Sequence, residues 1–137
     1  DQTYGNAEII RINPEYIRKY LEQGKSVIVT GFQGIDEEGN TTTLGRGGSD
    51  TSAVSLAAYL NADICRIYKD VDGIYSADPR TDLNAKKYDS LTYDQMLKIA
   101  DSGSQVLQKR CIELAKEYQI ELQILSSFQH ISGTIIH

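Results

Sequence analysis

At 137 residues, with 40% hydrophobic and 24% charged side chains, the chain has the size and make-up of a single globular domain. No apolar run approaches the roughly 20 residues that span a bilayer, so no membrane-crossing helix is expected. A net charge of −5, with the basic residues dispersed, excludes a general nucleic-acid binder, although a local site can still hold a small anion against the overall charge.

The opening residues, Asp1 to Gly5, carry no basic stretch followed by an apolar one, so no signal peptide is expected, and the absence of a starting methionine suggests a processed or excised chain. Asn13-Pro14-Glu15 reads as a helix start: Asn caps, Pro suits the first turn and Glu the positive end of the helix dipole. Tyr16, Ile17, Tyr20 and Leu21 share one face of that helix, and Gly24 is its expected stop. Residues 26–30 (SVIVT) are nearly all β-formers, which predicts a strand covered on both faces. It ends at Gly31-Phe32-Gln33-Gly34. A polar turn over 36–40 and a Thr-rich stretch over 41–44 predict a hairpin arm at the sheet's edge.

Gly45-Arg46-Gly47-Gly48 precedes a largely buried helix expected over 49–60, with Ser49 or Asp50 as its cap. Residues 62–68 read as a strand running into an Asp72-Gly73 turn, and 77–90 as mostly loop with Asp78-Pro79-Arg80 as a rigid corner. Thr92 and Gln95 make a capping box at the start of a helix whose inner face carries Tyr93, Met96, Leu97 and Ala100. A further helix is expected over 105–118, with Leu107, Cys111, Leu114 and Tyr118 aligned. Strands follow over 120–124 and 132–136. Strands separated by helices imply an α/β sandwich with a mainly parallel sheet.

Cys65 and Cys111 are too few and too far apart for a disulfide framework or a CxxC metal site, and are expected to be reduced, buried thiols of a cytoplasmic protein. His130 and His137 have no acid or cysteine at ligand spacing and are expected on the surface. No metal site made of protein side chains is expected.

The strongest local signal for chemistry is Gly45-Arg46-Gly47-Gly48-Ser49-Asp50-Thr51. Glycines let backbone approach a ligand, the following helix presents unpaired N–H groups, and Arg46 offers a bidentate clamp for a carboxylate or phosphate. Asp50 fits such a pocket if it faces a cation such as a lysine or Mg²⁺. The same residues also suit a plain strand-to-helix turn, and spacing does not separate the two readings. Glycine spacing excludes the dinucleotide fingerprint, and the absence of a following Lys-Ser/Thr excludes a Walker loop. The second signal, Lys69-Asp70-Val71-Asp72-Gly73-Ile74-Tyr75 with Asp78-Pro79-Arg80 beyond it, sits at the C-terminal end of a strand, where open α/β sheets bind ligands. Lys69 and Arg80 suit phosphates, Tyr75 a base or ribose, and Asp70 or Asp72 a hydroxyl, an amine or a water-bridged metal. A solvated polar turn explains the same residues.

The order of these motifs closely resembles the aspartate kinases of the amino-acid kinase superfamily: Gly31-Phe32-Gln33-Gly34, then Thr43-Leu44-Gly45-Arg46-Gly47-Gly48-Ser49-Asp50-Thr51-Ser52-Ala53, then Asp70-Val71-Asp72-Gly73-Ile74-Tyr75 and Asp78-Pro79-Arg80. Ser126-Ser127-Phe128 and Gly133-Thr134-Ile135-Ile136 look like the end of that catalytic domain. The resemblance implies a partial amino-acid kinase (carbamate kinase-like) fold, a three-layer α/β sandwich. Residues 1–137 would then be a single domain, the C-terminal lobe of the catalytic domain, without the N-terminal lobe and the ACT regulatory domains.

The resemblance further implies phosphoryl transfer from Mg²⁺-bound ATP to the β-carboxylate of L-aspartate, the entry step to lysine, threonine and methionine synthesis. It places aspartate against Phe32, Arg46, Gly47, Gly48 and Ser49, gives Arg46 and Asp50 catalytic roles as clamp and lysine-orienting group, and places the nucleotide over Lys69, Asp70, Gly73, Tyr75, Arg80, Gln105 and Val106. Two departures stand out. Lys69 and Gln105 replace the family's usual Thr and Lys, and the family's lysine-bearing Lys-Gly-Gly-Thr/Ser segment is not in the sequence. The chain alone is therefore expected to bind ATP weakly and turn over nothing. The family often dimerises, which makes a homodimer possible. Two other readings stay open: a kinase acting on glutamate or N-acetylglutamate, and a non-catalytic nucleotide-binding or assembly module.

Overall fold

The structure, a computed structural model, describes residues 5–104 and 106–137. The first helix, α1 (Glu15–Leu21), starts where the sequence predicts, and the Asn13 side chain accepts from the Glu15 N–H at 3.1 Å. None of its residues is fully buried, and Tyr16 and Tyr20 meet edge to face at 5.1 Å. Arg18 ties it to the body by donating to the Tyr59 carbonyl at 2.8 Å.

Two antiparallel strands, β1 (Gln33–Ile35) and β2 (Thr41–Thr43), make a small sheet of their own. The turn between them is held by buried Asp36, whose Oδ1 accepts from the amides of Glu38 and Asn40. Helix α2 (Gly48–Leu60) follows, then β3 (Ile64–Lys69), β4 (Ser90–Leu91), α3 (Tyr93–Asp101), α4 (Lys109–Tyr118), β5 (Glu121–Ser126) and β6 (Thr134–Ile136). The main sheet has the order β3-β5-β6-β4. The β3–β5 and β4–β6 ladders are parallel and the β5–β6 ladder is antiparallel, giving the mainly parallel sheet expected.

Alternation along β3 and β5 decides which face is covered. Cys65, Ile67, Leu122 and Ile124 enter one core with Val54 of α2, Met96 of α3, and Cys111 and Ile112 of α4. Ile64, Arg66 and Tyr68 point the other way and are exposed. Among the described residues, the sheet and one helical layer of the expected sandwich pack together. The capping box of α3 forms in both directions between Thr92 and Gln95, and Tyr93 donates from its buried hydroxyl to the Ile120 carbonyl at 2.9 Å.

Several local expectations need correction. Residues 26–30 join no described ladder, and Ile28 is 99% exposed. A run of β-formers needs a paired neighbour and a covering layer, and among the described residues this stretch has neither. The hairpin does not extend the main sheet, and its first strand begins at Gln33, inside the segment read as a glycine turn. Within the expected 77–90 loop, Ser90 starts β4, which at two residues is too short to leave a periodic signal. Helix α4 begins at Lys109, with Gln108 in the extended N-cap position, and Tyr118 is exposed. Both histidines are exposed, and both cysteines are free and buried.

Candidate active site

The glycine turn leads directly into α2, which begins one residue earlier than its sequence suggests. Neither Ser49 nor Asp50 caps the helix. Its N-cap is Gly47, in the left-handed region at φ 72°, with no side-chain cap bond. A side chain at this position would be strained twice, by the backbone and by Gln108, whose Cγ lies 2.1 Å from where a Cβ would stand. Without a cap, the first-turn amides of Ser49 and Asp50 have no acceptor among the described residues, which is the condition for a helix N-terminus to receive an anion.

Phe32 flanks this turn. It holds a positive φ of 72°, uncommon for a non-glycine residue. Its N–H donates to Ser52 Oγ at 3.0 Å and its carbonyl accepts from Leu44 N–H at 2.9 Å, and these bonds keep the ring edge against Gly48. Ser52 in turn donates to the Gly48 carbonyl at 2.9 Å. Phe32, Gly47, Gly48 and Ser49 therefore converge at the start of α2. The Arg46 side chain is exposed beside them. From α4, Arg110 Nη2 donates to the carbonyls of Leu44 and Arg46.

The second motif meets the first at one contact. Lys69 Nζ, at the end of β3, lies 2.6 Å from Asp50 Oδ2, and the side chains are 24% and 14% exposed, respectively. The cation that Asp50 requires is thus supplied from within the chain. Beyond Lys69, the Asp-Gly-Ile-Tyr turn is tied down at both ends. The Tyr75 hydroxyl donates to Asp72 at 3.0 Å, and Lys87 Nζ bridges Asp72 Oδ2 at 3.3 Å and the Ser132 carbonyl at 2.8 Å. Burial pushes the Asp72 carboxyl up, but the bonds from Tyr75 and Lys87 together outweigh it and hold the group below its ordinary value. Burial, then the bond to Asp72, raises the Tyr75 phenol. The Ile74 N–H donates to Thr134 Oγ1 at 2.8 Å, and that hydroxyl donates to the Tyr88 carbonyl at 2.6 Å. Gly73, at φ 154°, sits so close to Thr134 Oγ1 that a Cβ would lie 2.7 Å from it.

The other expected residues are less closely joined. Arg80 is exposed and grips both oxygens of Asp78, at 3.1 and 3.0 Å, and Asp70 is exposed nearby. Val106 is half-buried against the core, and Gln105 lies outside the described residues. Arg110, Lys87, Gln108 and Thr134 were not singled out from the sequence. Each acts through a partner distant in the chain, and nothing in its local pattern marks it.

Both thiols are buried in surroundings that disfavour the thiolate. Burial, with the charge of Asp50 adding to it, pushes Cys65 up to about 11 and Cys111 up to about 12. A cleft of about 220 Å³ opens on the uncovered face, lined by Tyr68, Leu125, Phe128, His130 and Ile131 among others. None of the expected site residues lines it, so the chemistry suggested by the two motifs belongs elsewhere. Among the described residues, no group of three or more acidic, histidine or cysteine side chains is arranged to hold a metal, and no helix is long and apolar enough to cross a membrane.

The sequence profile described as "Amino acid kinase family" matches residues 1–126. The chain belongs to the amino acid kinase family. Among its relatives in that family, an aspartate kinase of Stutzerimonas stutzeri is 49% identical over 99% of this chain and 33% of its own length. An aspartokinase of Bacillus sp. (strain MGA3) is 52% identical over 99% of this chain and 33% of its own length. The chain thus spans about a third of the curated amino acid kinases it matches. The crystal structure of E. coli aspartokinase III in complex with aspartate and ADP superposes with a TM-score of 0.84 at 31% identity, covering 99% of this chain and 32% of that one.

Proposed function

We propose that these residues supply the nucleotide site and part of the aspartate site of an ATP-dependent aspartate kinase, as the C-terminal lobe of its catalytic domain. The observation that carries this reading is the Lys69–Asp50 pair, which joins the glycine turn to the Asp-Gly-Ile-Tyr turn at 2.6 Å. Phosphoryl transfer asks a protein mainly for positioning and for positive charge near the phosphates. The uncapped start of α2, with Arg46 beside it, suits a substrate carboxylate. Asp50 orients an ammonium group. It need not act as a base, because the β-carboxylate that attacks phosphorus has no proton to remove.

Lys69, Asp70, Gly73, Tyr75, Arg80, Gln105 and Val106 form the proposed nucleotide side. Tyr75 keeps its hydroxyl on Asp72, which leaves its ring as the part that meets a base or ribose. Mg²⁺ bound to the ATP phosphates screens their charge and needs few protein ligands, since it retains waters and phosphate oxygens. Exposed Asp70 suits one water-bridged contact. A role in lysine, threonine and methionine synthesis, in the cytoplasm, follows from the same reading. The 137-residue chain by itself is expected to bind ATP weakly and turn over nothing, because the lysine-bearing Lys-Gly-Gly-Thr/Ser segment expected of an aspartate kinase is not in its sequence.

The test is aspartate-dependent ADP formation by an enzyme carrying these residues, with and without Arg46→Ala. Loss of activity with an unchanged circular dichroism spectrum is the expected result. Full activity of Arg46→Ala, or a preference for glutamate over aspartate, overturns the reading.

A further inference from the structure

The glycine turn is gripped from behind by a residue to which neither motif points. Arg110, in the first turn of α4, donates from one guanidinium nitrogen to the carbonyls of Leu44 and Arg46. A trans peptide is planar, so its C=O and the N–H of the next residue point in opposite directions. Holding the Leu44 carbonyl therefore directs the Gly45 N–H away from α4, and holding the Arg46 carbonyl does the same for the Gly47 N–H. Neither amide has an acceptor among the described residues. The side facing α4 is closed, because the Gln108 side chain occupies the space over Gly47. A ligand approaching these amides would come from the side away from α4, next to the first turn of α2.

We propose that Arg110 is a positioning residue for the substrate carboxylate: by fixing two peptide planes it aims the Gly45 and Gly47 amides into the site and places its own positive charge behind them. Glycine makes the grip necessary. Gly45 and Gly47 both lie in the left-handed region, at φ 70° and 72°, and glycine rotates among alternative conformations at little cost. An unheld turn would sample orientations in which these amides face solvent or α4. Arginine suits the task because the two N–H groups of that one nitrogen are held in the guanidinium plane and can each meet a carbonyl, whereas a lysine ammonium is a freely rotating donor on a flexible stem.

The inference rests on the proposed aspartate site, and its test separates the two. ¹⁵N-labelled 137-residue chain is titrated with L-aspartate, and separately with ATP, while the Gly45 and Gly47 amide resonances are followed. This method reads millimolar binding, as expected of a partial site. Arg110→Gln should weaken aspartate binding by about tenfold, the loss expected when charge-assisted hydrogen bonds are removed. ATP binding should be unchanged, and Arg110→Lys should recover part of the loss. A wild-type response to aspartate that Arg110→Gln leaves intact overturns this inference alone. An equal loss of aspartate and ATP binding also overturns it, since that marks a general structural role. If Arg110→Gln does not fold, Arg110→Lys decides: a smaller, aspartate-only loss supports the proposal and an unchanged affinity refutes it. A wild-type chain whose glycine amides ignore aspartate sinks the substrate reading and this inference with it.

Discussion

Lys69 Nζ and Asp50 Oδ2 are 2.6 Å apart, so the end of β3 is fastened to the first turn of α2 by an ion pair only partly open to water. Nineteen residues separate the partners, and the contact brings the two glycine-containing motifs together. Removing one partner leaves a half-buried charge without its counter-ion, which costs more than the pair contributes net. Lys69→Met and Asp50→Asn are each expected to lower stability by about 1–2 kcal/mol, discounted for partial exposure. The double variant should lose clearly less than the sum, as neighbours in one contact do. Urea unfolding of the four proteins measures the coupling, and strictly additive losses would show that the pair is incidental.

Asp72 gives the turn a pH dependence of defined sign. Its carboxyl is held below its ordinary value, where the hydrogen bonds from Tyr75 and Lys87 prevail over burial. A depressed folded-state value stabilises the protein above the unfolded-state value of about 3.9 and loses that contribution as pH falls through the folded-state value. Wild type should therefore melt above Asp72→Asn at pH 7, and the gap should close as pH drops below about 4. A gap that stays constant down to acid pH would mean that the asparagine changes packing rather than charge.

The legible parts of the fold were those encoded locally. Thr92 and Gln95 form their capping box with each other, three residues apart, and the structure shows both halves. Gly45 to Gly48 announced a backbone change, and α2 begins there. What the sequence could not convey were relations between distant segments. The stretch 26–30 has the composition of a covered strand, but whether it is paired depends on what lies beside it, and Ile28 is exposed. Asp50 was legible as a residue in need of a cation, and Lys69 as a positive charge at a strand end, but not as partners. Arg110 was silent, because two backbone carbonyls as acceptors leave no trace in residue type.

Thr134 offers a sharper test of how the Asp-Gly-Ile-Tyr turn is held. Its fully buried hydroxyl accepts from the Ile74 N–H and donates to the Tyr88 carbonyl. Valine has nearly the same shape but no hydroxyl, so Thr134→Val leaves a buried donor and a part-buried acceptor unpaired. The expected cost is about 2–4 kcal/mol, the sum of two unsatisfied groups. Thr134→Ser keeps both bonds and gives up one methyl group, costing about 1 kcal/mol. Chemical denaturation of the two variants checks the order. If serine is as damaging as valine, packing of the methyl group and not the hydroxyl holds the turn.

Gly47 and Gly39 both have positive φ, 72° and 87°, but their surroundings differ. Nothing lies within 4 Å of a Cβ built on Gly39, whereas one built on Gly47 would lie 2.1 Å from Gln108 Cγ. Gly39→Ala should therefore cost only the backbone term, about 1–2 kcal/mol. Gly47→Ala should cost that amount and a further 1–3 kcal/mol or so for displacing Gln108 from the start of α4. Combining Gly47→Ala with Gln108→Ala removes the Cγ and leaves only the residue 108 Cβ, 3.2 Å away, so most of the additional loss should be recovered. Thermal unfolding of these variants decides the matter. If trimming Gln108 brings no recovery, the demand for glycine at position 47 comes from its left-handed backbone alone, and α4 does not close that side of the turn.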